Sequence, residues 1–189
     1  MRGRRAGWFA LAVRLLWAAA AATAADQPAG TEYEIKAGFL YNFALFVEWP
    51  ATAASQARDT FIIGVIGEDP FGRELEKDMQ RETVNGRSLV IRHFARVEDL
   101  EFCHILFISA SETPQLGAIL AAARHWSTLT VGETPAFVDA GGMINFMMKG
   151  SRVRFAVNVT PAARAGLRIS SKLLNLAEVV QHVPLATER

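Results

Sequence analysis

The chain reads as an α/β protein in which an open mixed sheet carries helices on both faces and is extended, near the C-terminus, by a β-hairpin and a helix. Three observations predict this. The run Phe61 to Gly67 is short, nearly unbroken in apolar residues and rich in β-branched types, the pattern of a strand buried on both faces, and His104 to Ser109 and Thr128 to Val131 read as further strands. Helical stripes precede and separate them. The last third changes style, with two apolar runs facing each other across Lys149-Gly150-Ser151-Arg152. Strand, helix, strand, strand, helix, strand is the bookkeeping of a doubly wound sheet, a Rossmann-like or flavodoxin-like half.

Composition agrees with one globular unit. Of 189 residues, 51% are hydrophobic and 21% charged, ordinary values for a packed domain. Lys and Arg number 20 against 19 Asp and Glu, a formal charge of +1, which supplies no electrostatic reason for a nucleic-acid partner. Residues 1–24 stand apart. Arg2, Arg4, Arg5 and Arg14 come without an acid, then Leu15-Leu16-Trp17 and a run of alanines lead to Ala22-Thr23-Ala24. This is the layout of a cleavable secretory signal peptide, and its apolar part is far shorter than the roughly 20 residues that span a bilayer. Cleavage near Ala24 would leave a single domain, residues 25–189, with 16 basic and 19 acidic residues. Its one cysteine, Cys103, makes no intramolecular disulfide, and its neighbours Phe102, Ile105, Leu106 and Phe107 favour burial.

From Glu32 to Val47 the residues Tyr33, Ala37, Leu40, Tyr41, Ala44 and Val47 form one helical face, and Phe39, Phe43 and Phe46 form a second row beside it. The helix is apolar over most of its circumference, so one contact cannot absorb it. Either it lies between the sheet and a neighbouring element, or the Phe row is a partner or dimer interface. Trp49-Pro50 ends it. After the first strand, Asp69-Pro70 offers a cap and a first helical position for a helix to about Met79, with Phe71, Leu75 and Met79 on its buried face. A strand from Ser88 to Phe94, a helix from about Thr113 to His125, and polar turns at Ser109-Ala110-Ser111-Glu112 and Gly132-Glu133-Thr134-Pro135 complete the alternating part.

In the hairpin, pairing Met148 with Val153, Phe146 with Phe155 and Ile144 with Val157 aligns the apolar residues of both strands on one face. Met143, Asn145, Met147, Arg154, Ala156 and Asn158 then share the other, where Arg154 and Asn145 form a candidate polar cluster. Thr160-Pro161 caps a short helix that Gly166 interrupts, and Ile169, Leu173, Leu176, Ala177 and Val180 continue as a helical stripe.

Chemical motifs are few. His93, His104, His125 and His182 are scattered, with no HExxH spacing, and no GxSxG, P-loop or GxGxxG is present. No catalytic residue, metal ligand or cofactor is predicted, and the chain does not read as an enzyme. Ligands of open α/β sheets bind beyond the carboxyl ends of the strands. Here that edge carries Asp69, Ser109, Ser111 and Thr134, a possible ligand crevice unless all four serve only as caps and turns.

Four segments in this order resemble one family: Glu34 to Pro50 (EIKAGFLYNFALFVEWP), Gly141 to Phe146 (GGMINF), Arg152 to Asn158 (RVRFAVN) and Ala165 to Leu174 (AGLRISSKLL). Together they make the chain similar to the YfiR-like family of secreted bacterial proteins from about Thr31 to Val180. The resemblance implies a dimeric periplasmic repressor of a YfiN-type membrane-bound diguanylate cyclase, limiting cyclic di-GMP signalling and biofilm formation, with an outer-membrane lipoprotein that sequesters it. The best-known member relies on cysteine pairs, whereas this chain has Cys103 alone, which excludes redox control through an intramolecular bridge. A periplasmic small-molecule-binding sensor without a cyclase partner is the alternative reading.

Overall fold

A computed structural model describes residues 29–57, 59–72, 76, 79 and 81–180. The expected signal peptide lies outside these residues, as do Leu75 and most of the helix expected after Asp69. Helix α1 (Ala29–Phe46) runs into a two-residue strand β1 (Val47–Glu48), a short helix α2 (Ala51–Gln56) and strand β2 (Thr60–Ile66). Then come β3 (Thr83–Val84), β4 (Arg87–Phe94), β5 (Ile105–Ile108), α3 (Leu116–Ala123), β6 (Leu129–Gly132), β7 (Ile144–Lys149) and β8 (Arg152–Asn158). The chain closes with α4 (Val159–Arg164), β9 (Arg168–Ile169), α5 (Ser171–Leu174) and β10 (Glu178–Val180).

The main sheet has eight strands in the order β10-β8-β7-β6-β5-β2-β4-β3. Strands β4, β2, β5, β6 and β7 are parallel. With the β3–β4 hairpin counted once, their order is the flavodoxin-like one, which reverses direction between β2 and β5. Alternation along β2 explains why both faces must be covered. Phe61, Ile63 and Val65 join one core with α1, while Ile62 and Ile66 join a second with Leu116, Ile119 and Leu120 of α3. Gly64 also faces the second core, where a Cβ would stand 2.7 Å from the Phe94 ring.

The hairpin adopts the predicted register, Ile144 opposite Val157, Phe146 opposite Phe155 and Met148 opposite Val153. Gly150, at φ +60, takes the first central position of its two-residue turn, where L side chains are strained. A second hairpin joins β3 to β4 through Asn85 and Gly86, both at positive φ, the type I′ preference of an Asn-Gly pair. Strand β3 has no counterpart in the sequence reading.

Three boundaries differ from expectation. The helix expected from Thr113 starts as a 3-10 turn, Ala110–Gln115, whose cap is Ser109, before α3 begins. The cap of α4 is Asn158, whose side chain accepts from the Thr160 N–H, rather than Thr160 itself. The continuous tail stripe is instead divided. Ile169 pairs with Val47 in the small β1–β9 sheet, Ser170 caps a single turn by accepting from the Leu173 N–H, and Glu178–Val180 adds a parallel edge strand to β8. Two strand edges were open to these backbone groups, and ladder bonds to them replaced helical ones.

Candidate functional site

The reversal point of the sheet lies at the carboxyl ends of β2 and β5. Gly67 leaves β2 at φ +90, and a Cβ there would sit 2.4 Å from Ser111 Oγ, so the two loops close on each other only because this residue is glycine. The Glu68 N–H donates to Ser111 Oγ at 3.0 Å, Asp69 Oδ1 accepts from the Phe71 N–H at 2.9 Å, and Ser109 Oγ accepts from the Ser111 N–H at 3.5 Å. The fold therefore brings Ser111 and Ser109 together and spends their bonds, with those of Asp69, on turns and caps. Asp69 also borders a recess of about 10 Å³, room for roughly one water. Thr134, buried on the following loop, has no hydrogen-bond partner for its hydroxyl among the described residues.

Beside this edge stands a group that sequence reasoning missed. Glu133 accepts from Lys36 Nζ at 2.7 Å and from the Ala110 N–H at 3.3 Å. Lys36 also pairs with Glu32 at 2.5 Å and lies 4.3 Å from the centre of the Tyr33 ring. Burial works against the charge on Lys36, but the hydrogen bonds to Glu133 and Glu32 outweigh it and raise its pKa. Burial and the Glu133 carboxylate raise that of Tyr33. A carboxylate of the chain thus occupies the place at a helical N-terminus that an anionic ligand takes in many open α/β sheets.

The Phe row faces the chain's own core. Phe43 is 0% exposed; its ring stacks on Phe146 at 5.7 Å and meets Phe155 edge-on at 5.1 Å. Phe39 meets Phe155 at 5.2 Å and, like Phe46, is half-buried against the same core. Phe39 and Phe43 thus pack on the chain's own hairpin, which leaves Phe43 closed to solvent in the single chain. What α1 presents outward is a neighbouring strip with Glu34, Gly38 and Asn42, in which Ile35 and Leu45 are each 39% exposed. Of the suggested polar cluster, Asn145 is buried with its Oδ1 unpartnered among the described residues, whereas Arg154 is exposed.

His104 is fully buried and structural. The Ile62 N–H donates to its Nδ1 at 3.1 Å, Phe61 stacks on it at 4.3 Å, and Arg87 Nη1 lies 3.3 Å from its Nε2. Burial, then the Arg87 charge, lower its pKa to about 4. Cys103, buried as expected, has its thiol pushed up to about 12 by burial, which makes it a poor nucleophile. Among the described residues no His, Cys, Asp and Glu group is arranged to hold a metal, and no helix is long and apolar enough to cross a membrane.

A cleft of about 400 Å³ opens on the α3 side, between the end of α3, the turn before β7 and α4. Behind the loop from β6 to β7, the ring of Phe137 lies between two glycines. A Cβ on Gly132 or Gly142 would stand 2.2 or 2.1 Å from it.

Fold and site together define a doubly wound α/β domain whose strand-end edge is occupied by its own side chains. A family model described as YfiR/HmsC-like matches residues 33–178. The chain belongs to that family. No curated protein matches it. Among solved structures, a conserved domain protein from Vibrio cholerae O1 biovar eltor str. N16961 is similar with a TM-score of 0.52 and 13% identity, over 79% of this chain and 60% of that one. That likeness concerns the fold, and the chain spans about 60% of the Vibrio structure's length. An ABC domain in complex with L-Trp from Streptococcus pneumonia has a TM-score of 0.48 and 9% identity, over 64% of this chain and 55% of that one.

Proposed function

We propose that this protein is a non-catalytic periplasmic regulator that binds and represses a membrane-bound signalling enzyme, a diguanylate cyclase, and so limits cyclic di-GMP signalling and biofilm formation. The observation that carries this reading is the family match over residues 33–178. The N-terminal Arg-rich and Ala-rich segment supports delivery across the inner membrane. The outward strip of α1 around Ile35 and Leu45 supports a protein contact, since apolar residues grouped on a surface mark interfaces. A homodimer, and release by an outer-membrane lipoprotein, belong to the same proposal.

The test is affinity capture from solubilised membranes with the tagged protein and its Ile35→Asp/Leu45→Asp variant. Recovery of a protein with a cyclic di-GMP synthesis domain, lost in the folded variant, supports the reading. Failure to recover any such protein with a folded bait overturns it. The second reading, a small-molecule sensor module, is favoured by the cleft beside α3 rather than by the strand-end edge.

A further inference from the structure

The cleft beside α3 has a chemical character that neither the caps at the strand ends nor the outward face of α1 share. Arg124 stands at the C-terminal end of α3, and its Nη2 lies 3.2 Å from where a Cβ on Gly141 would be, so the guanidinium occupies space that the glycine leaves. Arg164, in the last turn of α4, borders the same cleft from the other side. Cations favour helix C-termini in general. That accounts for a basic residue on each helix, but not for the convergence of both on one cavity. Neither side chain has an ion-pair partner among the described residues.

The remainder of the lining is mostly apolar, with Leu120, Trp126, Val138 and Met143 as its larger side chains. Polar groups at the floor are already engaged. Thr130 Oγ1 accepts from the Met143 N–H at 3.2 Å, and Asn158 Nδ2 donates to the Val138 carbonyl at 3.4 Å. A ligand therefore finds a mostly apolar lining that also carries two arginines. Two arginines against one acid, Asp139, leave the lining one positive charge, suited to a single negative group. A volume of about 400 Å³ is at the small end of ligand pockets, enough for one or two fused rings.

We propose that this cleft binds a small organic monocarboxylate with an apolar body, its carboxylate held by Arg124 and Arg164 and its body against Leu120, Trp126, Val138 and Met143. Arginine suits this role because its planar donors match a carboxylate and its charge does not titrate. The site is separate from the strand-end edge and from the outward face of α1, and it does not depend on the partner reading.

The experiment titrates the purified chain with 1-naphthoate, with its neutral analogue 1-naphthalenemethanol, and with acetate, by calorimetry and by the NMR signal of the Trp126 indole, assigned with Trp126→Phe. The expected result is that naphthoate binds and shifts the Trp126 signal, while the alcohol and acetate each bind at least about tenfold more weakly. Arg124→Ala/Arg164→Ala should weaken naphthoate binding by about tenfold or more with its melting temperature unchanged. Asp139→Asn, which keeps both arginines, should tighten it severalfold. Equal binding of acid and alcohol, equal binding of acetate and naphthoate, an unaffected double variant, or no Trp126 shift overturns the proposal. If the double variant fails to fold, the Asp139 result decides, and unchanged or weaker binding there overturns it.

Discussion

Lys36 Nζ lies 2.7 Å from Glu133 Oε2, joining the helix that opens the domain to the loop after β6 across 97 residues of sequence. Both side chains are nearly buried, at 5% and 8% exposure, so neither can exchange its partner for water. Removing one member leaves the other charge desolvated, which costs about 3–5 kcal/mol, whereas replacing both by apolar groups of similar size is often neutral. Lys36→Met should therefore destabilise the protein strongly in urea unfolding. Lys36→Met/Glu133→Leu should recover most of that loss. Equal stability of the single variant and the parent would refute a buried pair. Because the folded pKa of Lys36 is raised, its contribution is complete below its ordinary 10.5 and is lost as pH rises through the folded value.

Phe43 and the outward strip of α1 should separate under mutation. Phe43→Asp places a carboxylate among Phe39, Phe146 and Phe155, a change expected to exceed the about 3–5 kcal/mol of a Phe→Ala truncation. It should unfold the domain by circular dichroism. Ile35→Asp and Leu45→Asp, on the exposed side, should stay within about 1 kcal/mol of the parent. A folded, soluble Phe43→Asp protein would return the Phe row to the surface.

His104 predicts an acid limb of stability. The unfolded ring takes its proton near 6.5 and the folded ring only near about 4, so between these values the unfolded chain binds more protons. The stabilisation is present above about 6.5 and is lost as pH falls toward 4, by about 3 kcal/mol. Geometry gives the reason. Nδ1 already accepts the Ile62 N–H, and a second ring proton would have to take that place. Urea midpoints measured from pH 7 to pH 4 should fall in the parent and fall less in His104→Gln; parallel profiles would reject His104 as the cause.

Gly142→Ala should lower stability by about 1–3 kcal/mol through its clash with Phe137. The loss should shrink in a Phe137→Leu background, because the two changes share one contact. Additive losses in thermal unfolding would place the effect elsewhere.

What was legible in the sequence followed short-range periodicity. The β7–β8 register could be read because Ile144, Phe146 and Met148 recur at period two opposite Val157, Phe155 and Val153. The β3–β4 hairpin was also written locally, in Asn85-Gly86, but its two-residue strand is too short to show alternation. Pairings across about a hundred residues left no such trace. Nothing near Phe43 names Phe146, and nothing near Glu133 names Lys36. In the tail, Ile169, Leu173 and Leu176 satisfy a helical stripe arithmetically, yet free edges at β1 and β8 drew the backbone into strands. The cleft stayed hidden for a related reason, since Arg124 and Arg164 border one cavity only through the placement of α3 and α4 on the sheet.

The packing of Phe39 and Phe43 on Phe146 and Phe155 also sets a schedule for biosynthesis. Helix α1 has its principal aromatic contacts in a hairpin about a hundred residues later in the chain, and loop closure over that distance must precede the reward of contact. A nascent chain stalled before Phe146 would hold α1 without the rings it stacks on, so completion of this core waits for the hairpin.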